Sequence, residues 1–330
     1  MARISLSQGV RLARKGIANY VINRPIVVSY EVTLSCNCNC HHCDLGGIIE
    51  NEKRITPEEY EDITRRLKPL AAQVSGGEPL LRKDIAGIVK AIKRGGAEYL
   101  VLVTNGALLN ESNYIQLHDA GVTQFSVSLD FPDERHDEFR RRPGLYKRLD
   151  QTLPRLARFG FHNIILNTAI TNANMREILP LARRAAEWGV DISYSAYTPL
   201  RTGDKGYCLD GEKDLGVLRQ AVGELITLTK HDMHLTNPEH TLRDTLRFFE
   251  QGRMPNCKAG IKFLVVMPDG SLVPCSLHRE KYATREEMME RFSRTNKCGD
   301  CYVAIRSYSE MSFLNQLKNL PTYMRQALFR

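Results

Sequence analysis

The sequence predicts an α/β protein: an open, partial barrel of parallel strands, followed by a small module of β-hairpin and helices. Two observations carry this expectation. Short β-rich runs alternate with helical patterns in six units between Ile26 and Lys230, too few to close an eight-fold barrel. Near Pro255 the alternation stops, and two apolar runs flank Pro268-Asp269-Gly270, a hairpin signal. The 330 residues suffice for one large domain and a smaller one.

The first strand is read at IVVSYEV, and a cysteine-rich loop follows it. TPEEYEDITRRL is a helix with Thr56 as N-cap and Pro57 at its first position. AAQVS, EYLVLVT, TQFSVSLD, NIILNTAIT and VDISYSAY are the remaining strands. The helices between them are KDIAGIVKAIKRGG, NESNYIQLHDAG, YKRLDQTLPRLARFG and NMREILPLARRAAEWG, and a last one runs near Gly211 to Lys230. The chain thus reads as a partial (β/α)6 TIM-like barrel over 26–235 and a C-terminal hairpin/helix module over 236–330, the boundary falling between roughly 235 and 256. Within that module come KFLVVMPDGSLVPC, TREEMMERF, a Cys-Gly-Asp-Cys turn and a helical tail with FLNQLKNL.

Residues 1–25 are basic: Arg3, Arg11, Arg14, Lys15 and Arg24 precede the first acid, Glu31. Leu6, Val10, Ala13, Ile17 and Tyr20 recur at helical spacing. The expectation is a helix packed against its own barrel; the same features suit an acidic membrane surface or a partner. No apolar run reaches the roughly 20 residues of a membrane helix, and no signal peptide is seen. Nine cysteines without an export signal point to a reducing, cytoplasmic setting. The net charge of +8 comes without a dense Lys/Arg stripe interleaved with aromatics, which argues against nucleic-acid binding.

SCNCNCHHCDLGG places four cysteines and two histidines after the first strand, at the end where such folds carry their active sites. Cys36, Cys40 and Cys43 follow C-x3-C-x2-C, with Cys38 inside the longer gap. Three thiolates on a short loop can hold three irons of a [4Fe–4S] cube and leave the fourth open. A zinc site completed by His41 or His42 remains open on this loop alone. The second strand ends in SGGEP (Ser75 to Pro79), the third in TNG (Thr104 to Gly106) and the fourth in SVSLD (Ser126 to Asp130). Adjacent glycines admit a ligand to the backbone, and Glu78 offers an acceptor for an ammonium.

In this order, the motifs from about Ile26 to Tyr197 resemble the radical S-adenosylmethionine (SAM) superfamily. The resemblance implies that Cys36, Cys40 and Cys43 bind a [4Fe–4S] cluster whose open iron chelates SAM. It further implies that Gly76, Gly77, Glu78 and Pro79 line the methionine amino group. Ser128 and Asp130 would lie near the ribose, with Asn105 close by and Arg140 and Asn167 carried over from strand position. Reductive cleavage of SAM would give a 5′-deoxyadenosyl radical that takes a hydrogen atom from a substrate, with a flavodoxin or ferredoxin as low-potential electron donor. The family usually has an aromatic residue before the third cysteine; here His42 stands there, and an imidazole can also pack beside adenine. Cys38 is read as a bystander.

Cys257, Cys275, Cys298 and Cys301 are spaced C-x17-C-x22-C-x2-C, which suits four-thiolate zinc or a fully ligated [4Fe–4S] cluster equally. The resemblance of this segment to the shortened SPASM module called Twitch favours an auxiliary iron–sulfur cluster. Members of that kind include the 2-deoxy-scyllo-inosamine dehydrogenase type. The molybdopterin-precursor cyclase type is disfavoured, because it has three such cysteines. Cys208 is read as a loop thiol without a role. A fully ligated auxiliary cluster suits net oxidation of a small metabolite by an oxidoreductase, and oxidation needs a base. Tyr197 and Asp204 are the candidates, with Tyr194, Arg201 and His278 also expected near the barrel mouth. The alternatives are a maturase of a ribosomally made peptide, an enzyme acting on a lipid-like substrate at the membrane surface, or a non-catalytic zinc or iron–sulfur binding protein.

Overall fold

In the computed structural model, which describes residues 5–229 and 234–310, α1 (Leu6–Val21) leads into β1 (Val27–Glu31). Then follow α2 (Pro57–Leu67), β2 (Ala71–Ser75), α3 (Ile85–Arg94), β3 (Tyr99–Thr104), α4 (Glu111–Ala120) and β4 (Gln124–Ser128). A short α5 (Arg135–Arg140) precedes α6 (Leu145–Ala157), β5 (Ile164–Ile170), α7 (Ile178–Trp188) and β6 (Asp191–Ala196). After α8 (Gly211–Leu228) and α9 (Glu239–Gln251) come β7 (Phe263–Val266), β8 (Leu272–Val273), α10 (Arg285–Met288) and α11 (Ala304–Ser309).

The strands lie in the order β6-β5-β4-β3-β2-β1-β7-β8, and every pairing is parallel except β7 with β8. The sequence reading made the hairpin part of a separate module. In the structure β7 pairs with β1 instead, Val27 opposite Phe263 and Tyr30 opposite Val266. The physical reason is that β1 would otherwise carry an unpaired edge, and FLVV is apolar enough to be buried on both faces. The sheet curves without closing, and α11 packs against both β6 and β7 across the open side.

Alternation along the strands sorts the two faces. Val28 and Tyr30, Ala72 and Val74, Leu100 and Leu102, Phe125 and Val127 are fully buried against the helices outside. Each such large side chain contributes roughly 1.5–3 kcal/mol, so the outer face carries the fold's stability. The inner face is mixed: Ser29 lies opposite Gln73, Glu31 opposite Ser75, and Ser128 opposite Asn167, itself opposite Ser193, while Val101, Val103 and Ile165 share that face. The Ser29 and Ser75 hydroxyls are 3.0 Å apart, and Gln73 donates to Ser29.

Local signals worked where they were strongest. Thr56 caps α2 by accepting from Glu59 N–H, and Glu59 Oε2 accepts from Thr56 N–H at 2.7 Å, a complete capping box. The helix expected from Tyr146 starts one residue earlier, and α5 was not foreseen. α1 packs against its own barrel, but not through the apolar stripe. Val10 and Ile17, expected to pack on the barrel, are 60% and 48% exposed, and the helix is held through polar residues instead. The FLNQLKNL tail and Lys230 lie outside the described residues. Among the described residues no helix is long and apolar enough to cross a membrane.

Candidate active site

β1 delivers the cysteine loop to the carboxyl end of the sheet. Cys36 N–H donates to Gly47 O at 2.8 Å and ties the two ends of the loop together. Cys36, Cys38 and Cys40 are buried, Cys43 is half-buried, and all four thiols are free. Their hydrogen bonds separate them. The Cys36 sulfur accepts from Cys38 N–H at 3.4 Å and from Asn105 Nδ2 at 3.8 Å. The Cys40 sulfur accepts from Arg140 Nη1 at 3.7 Å, and the Cys43 sulfur accepts from Leu45 N–H at 3.5 Å.

Cys38 behaves otherwise, since its thiol bonds to the sulfurs of Cys36 and Cys40. Those bonds, together with burial, push its pKa far up. The same bonds, with Cys38 as donor, lower Cys36 and bring Cys40 to about 6, with Arg140 adding to the latter. Burial raises Cys43. N–H donors to sulfur stabilise thiolates and tune clusters. Three sulfurs with N–H donors on one short loop fit a three-thiolate [4Fe–4S] group.

The GG dipeptide explains how β2 meets this loop. Gly76 has φ +137°, and a Cβ there would sit 2.1 Å from Thr33 O; at Gly77 it would sit 2.1 Å from Ser35 O. Gly77 N–H donates to Thr33 O and Glu78 N–H to Ser35 O, so the two segments are welded backbone to backbone. A carbonyl, not an N–H, is what an ammonium needs, and the Gly76 and Gly77 carbonyls can offer one.

Glu78 has a different duty from the one expected of an ammonium acceptor. Its Oε1 accepts from Leu80 N–H at 3.0 Å and Thr104 Oγ1 at 2.8 Å, and its Oε2 from Asn105 N–H at 2.8 Å. The carboxylate therefore joins the ends of β2 and β3 and caps the turn that begins at Pro79. Burial raises its pKa to about 7 against the pull of these donors. The folded chain then binds more protons than the unfolded one between the ordinary carboxylate range and pH 7. Stability is expected to fall as pH rises through that window and to level off above it. In Glu78→Gln an amide NH2 must face a donor, Asn105 N–H or Leu80 N–H. Thermal unfolding should show a loss of about 1–3 kcal/mol.

Asn105 donates to Asn37 Oδ1 at 2.7 Å as well as to Cys36, and its Oδ1 accepts from Ala107 N–H. Asp130 and Arg140 form a buried pair, Nε to Oδ2 at 2.6 Å. Burial works to raise the Asp130 carboxyl, but Arg140, His42 and His136 outweigh it and hold it below its usual range. Asp130 Oδ1 has no hydrogen-bond partner, which fits a ligand hydroxyl such as the ribose expected there. Ser128 and Asn167 lie side by side on the inner face.

α5 covers the cysteine loop. Phe139 O accepts from His41 N–H at 3.1 Å, Arg142 donates to Asn37 O, and the His42 ring stacks on Phe139 at 4.7 Å. Burial lowers His42 to about 4, so a neutral ring occupies the place before the third cysteine.

Among the candidate bases, Tyr194 is misplaced: its side chain points outward and its hydroxyl donates to Ile178 O. The Tyr197 hydroxyl donates to Asp204 O at 2.9 Å, and the Asp204 carboxylate accepts from Gly206 N–H. Arg201 pairs with Asp44 of the cysteine loop. His278 belongs with the second cysteine set, its N–H donating to Cys275 sulfur. The sequence reading missed Glu31. It is 2% exposed on the inner face at the end of β1, and its Oε2 lacks a hydrogen-bond partner. That oxygen lies 3.6 Å from Arg279 of the segment that carries Cys275. A carboxylate on the inner register of a strand that ends at a cysteine loop was the available signal.

The four C-terminal cysteines come together beside Phe263, Phe292 and Ile305. The Cys275 sulfur accepts from His278 N–H at 3.3 Å, and the Cys298 thiol donates to Asp300 Oδ2 at 3.8 Å. Arg306, fully buried, donates to Met254 O, Cys301 O and Pro255 O and pairs with Glu310. The donor set fits a second group, held by four thiolates.

Residues 30–185 match the Radical SAM superfamily. An AdoMet-dependent heme synthase of Methanosarcina barkeri is 33% identical over 192 residues, 55% of this chain and 52% of that one. The chain thus spans about half of that relative. A probable GTP 3′,8-cyclase of Methanothermobacter marburgensis is 26% identical over 285 residues, 81% of this chain and 89% of its own. Streptococcus suis SuiB bound to S-adenosylmethionine superposes with a TM-score of 0.60 at 21% identity, over 84% of this chain and 66% of that one, a likeness of fold. Enzymes of the superfamily use a [4Fe–4S] cluster and SAM. With the cysteine loop, the GG weld and the open parallel barrel in place, residues 30–185 are a radical SAM domain.

Proposed function

We propose that the chain is a radical SAM enzyme that abstracts a hydrogen atom from a small polar organic molecule and oxidises it. Cys36, Cys40 and Cys43 would hold the cluster, and the Gly76 and Gly77 carbonyls with Asp130 would orient SAM. Bound together, these groups supply a 5′-deoxyadenosyl radical. The observation that carries the substrate class is the inner face of the barrel, with Ser29, Gln73, Ser75, Ser128, Asn167 and Ser193 on neighbouring strands. These side chains solvate hydroxyl and amine groups. The four C-terminal cysteines would hold an auxiliary cluster, which supplies a destination for the electron released in oxidation. Glu31 takes the departing proton in this reading, and Arg279 orients it.

The test is SAM cleavage under dithionite, read as 5′-deoxyadenosine, with three additions: a polar metabolite fraction below about 1 kDa, a peptide fraction and a lipid extract. The polar fraction should raise the rate, and Glu31→Gln should lower the raised rate by roughly 10²-fold or more. Stimulation by the peptide fraction alone would favour the maturase reading. Relatives of that kind include the subtilosin biosynthesis protein AlbA of Bacillus subtilis, 24% identical over 275 residues.

A further inference from the structure

α1 crosses the amino-terminal end of the barrel, away from the cysteine loop, and it is packed inside out. Its barrel-facing side is mostly polar, with Leu12 half-buried and Gly16 set against Leu70 among the polar residues. Gln8 donates to Glu98 O, Arg11 pairs with Glu98, Lys15 donates to Gly96 O, and Asn19 donates to Pro25 O and Lys68 O at 2.9 Å. Positions 8, 11, 15 and 19 share one helical face. On the opposite face Val10, Ile17 and Val21, spaced by seven and four, are 60%, 48% and 71% exposed, and Ile22 beside them is 53% exposed. An apolar stripe directed at water while polar residues hold the helix down marks a surface meant for something else.

Charge selects the occupant. The first acid in the chain is Glu31, so no carboxylate lies on or before α1. Arg14 is exposed along the apolar stripe itself, and a basic cleft beside the helix is lined by Arg11, Arg14, Lys15, Arg24, Arg65 and Lys68. Glu98 is the one acid lining that cleft. Apolar side chains at the centre with cations around them match a bilayer surface rich in anionic headgroups.

We propose that α1 seats the protein on an anionic membrane surface, with Val10, Ile17 and Val21 in the headgroup layer and the cations against phosphates. Docked this way, the chain keeps its barrel mouth turned away from the bilayer, so the polar substrate reaches it from water. Docking is independent of the reaction assigned above.

The test is flotation of the full-length, cluster-loaded protein with vesicles of phosphatidylcholine alone or with 30% phosphatidylglycerol. Binding should require phosphatidylglycerol and fall at least tenfold between 50 and 500 mM salt. Val10→Ser/Ile17→Ser/Val21→Ser should bind at least tenfold more weakly. Arg14→Gln should weaken binding by about fivefold. Circular dichroism and SAM cleavage should be unchanged in these variants, showing that they fold. Equal binding to both vesicles, or by wild type and the triple-serine variant, would overturn the proposal. So would a dimer that the triple-serine variant converts to monomer, since a second copy would then cover the stripe. Lowered thermal stability of that variant in the absence of vesicles would place part of this chain, such as residues 311–330, on the stripe and overturn it equally.

Discussion

Alanine at Cys36, Cys40 or Cys43 is expected to abolish 5′-deoxyadenosine formation, whereas Cys38→Ala should keep it. The distinction rests on the loop's hydrogen bonds rather than on spacing, which offers several triplets. Cys36, Cys40 and Cys43 each accept from a nitrogen of the protein, and among the described residues no nitrogen donates to the Cys38 sulfur. Losing a thiolate removes a corner ligand. Losing Cys38 removes a small buried side chain and costs about 1 kcal/mol of stability. Anaerobic iron and sulfide counts read the same distinction. Wild type should hold about eight of each for two four-iron clusters, falling to about four in the first three variants and staying near eight in Cys38→Ala. If Cys38→Ala loses the iron and Cys43→Ala keeps it, the assignment of the loop is reversed.

The fold was legible because each strand carries a period-two pattern with its apolar residues on the helix-facing side, and each helix carries an end signal such as Thr56 or Gly121. The hairpin's place was not legible. KFLVVMPDGSLVPC specifies a turn, but nothing local says that β7 completes the edge of β1, more than 230 residues earlier in the chain. α1 misled for the opposite reason. Its spacing is that of a packed helix, and only the surroundings show that Gln8, Arg11, Lys15 and Asn19 make the contact. At the site, motif residues were findable one by one, while their duties depend on partners from other strands. Glu78 reads as a ligand group in GGEP and turns out to hold Thr104 and Asn105 N–H. Glu31 carries no motif and becomes notable only when Arg279 arrives from the far end of the chain.

The largest stability effect is expected from separating Asp130 and Arg140. Both are buried, and Arg140 bridges the end of β4 to the cysteine loop through its contacts with Asp130 Oδ2 and Cys40 sulfur. Arg140→Met leaves the carboxylate without its cation in a dry place, and Asp130→Asn leaves the guanidinium without its anion. Each should cost about 3–5 kcal/mol. The double variant removes both charges together and should recover much of that loss, because most of the penalty is the uncompensated charge rather than the missing bond. Cluster properties should not recover with stability. Arg140 Nη1 is the N–H donor to Cys40 sulfur, and both Arg140→Met and the double variant lack it, whereas Asp130→Asn retains it. The reduction potential of the SAM-binding cluster, followed by electron paramagnetic resonance during a dithionite titration, should therefore fall in the first two variants and stay near wild type in the third. Thermal unfolding that does not improve in the double variant would mean that the pair acts through packing. An unchanged potential in Arg140→Met would remove Arg140 from the cluster's surroundings.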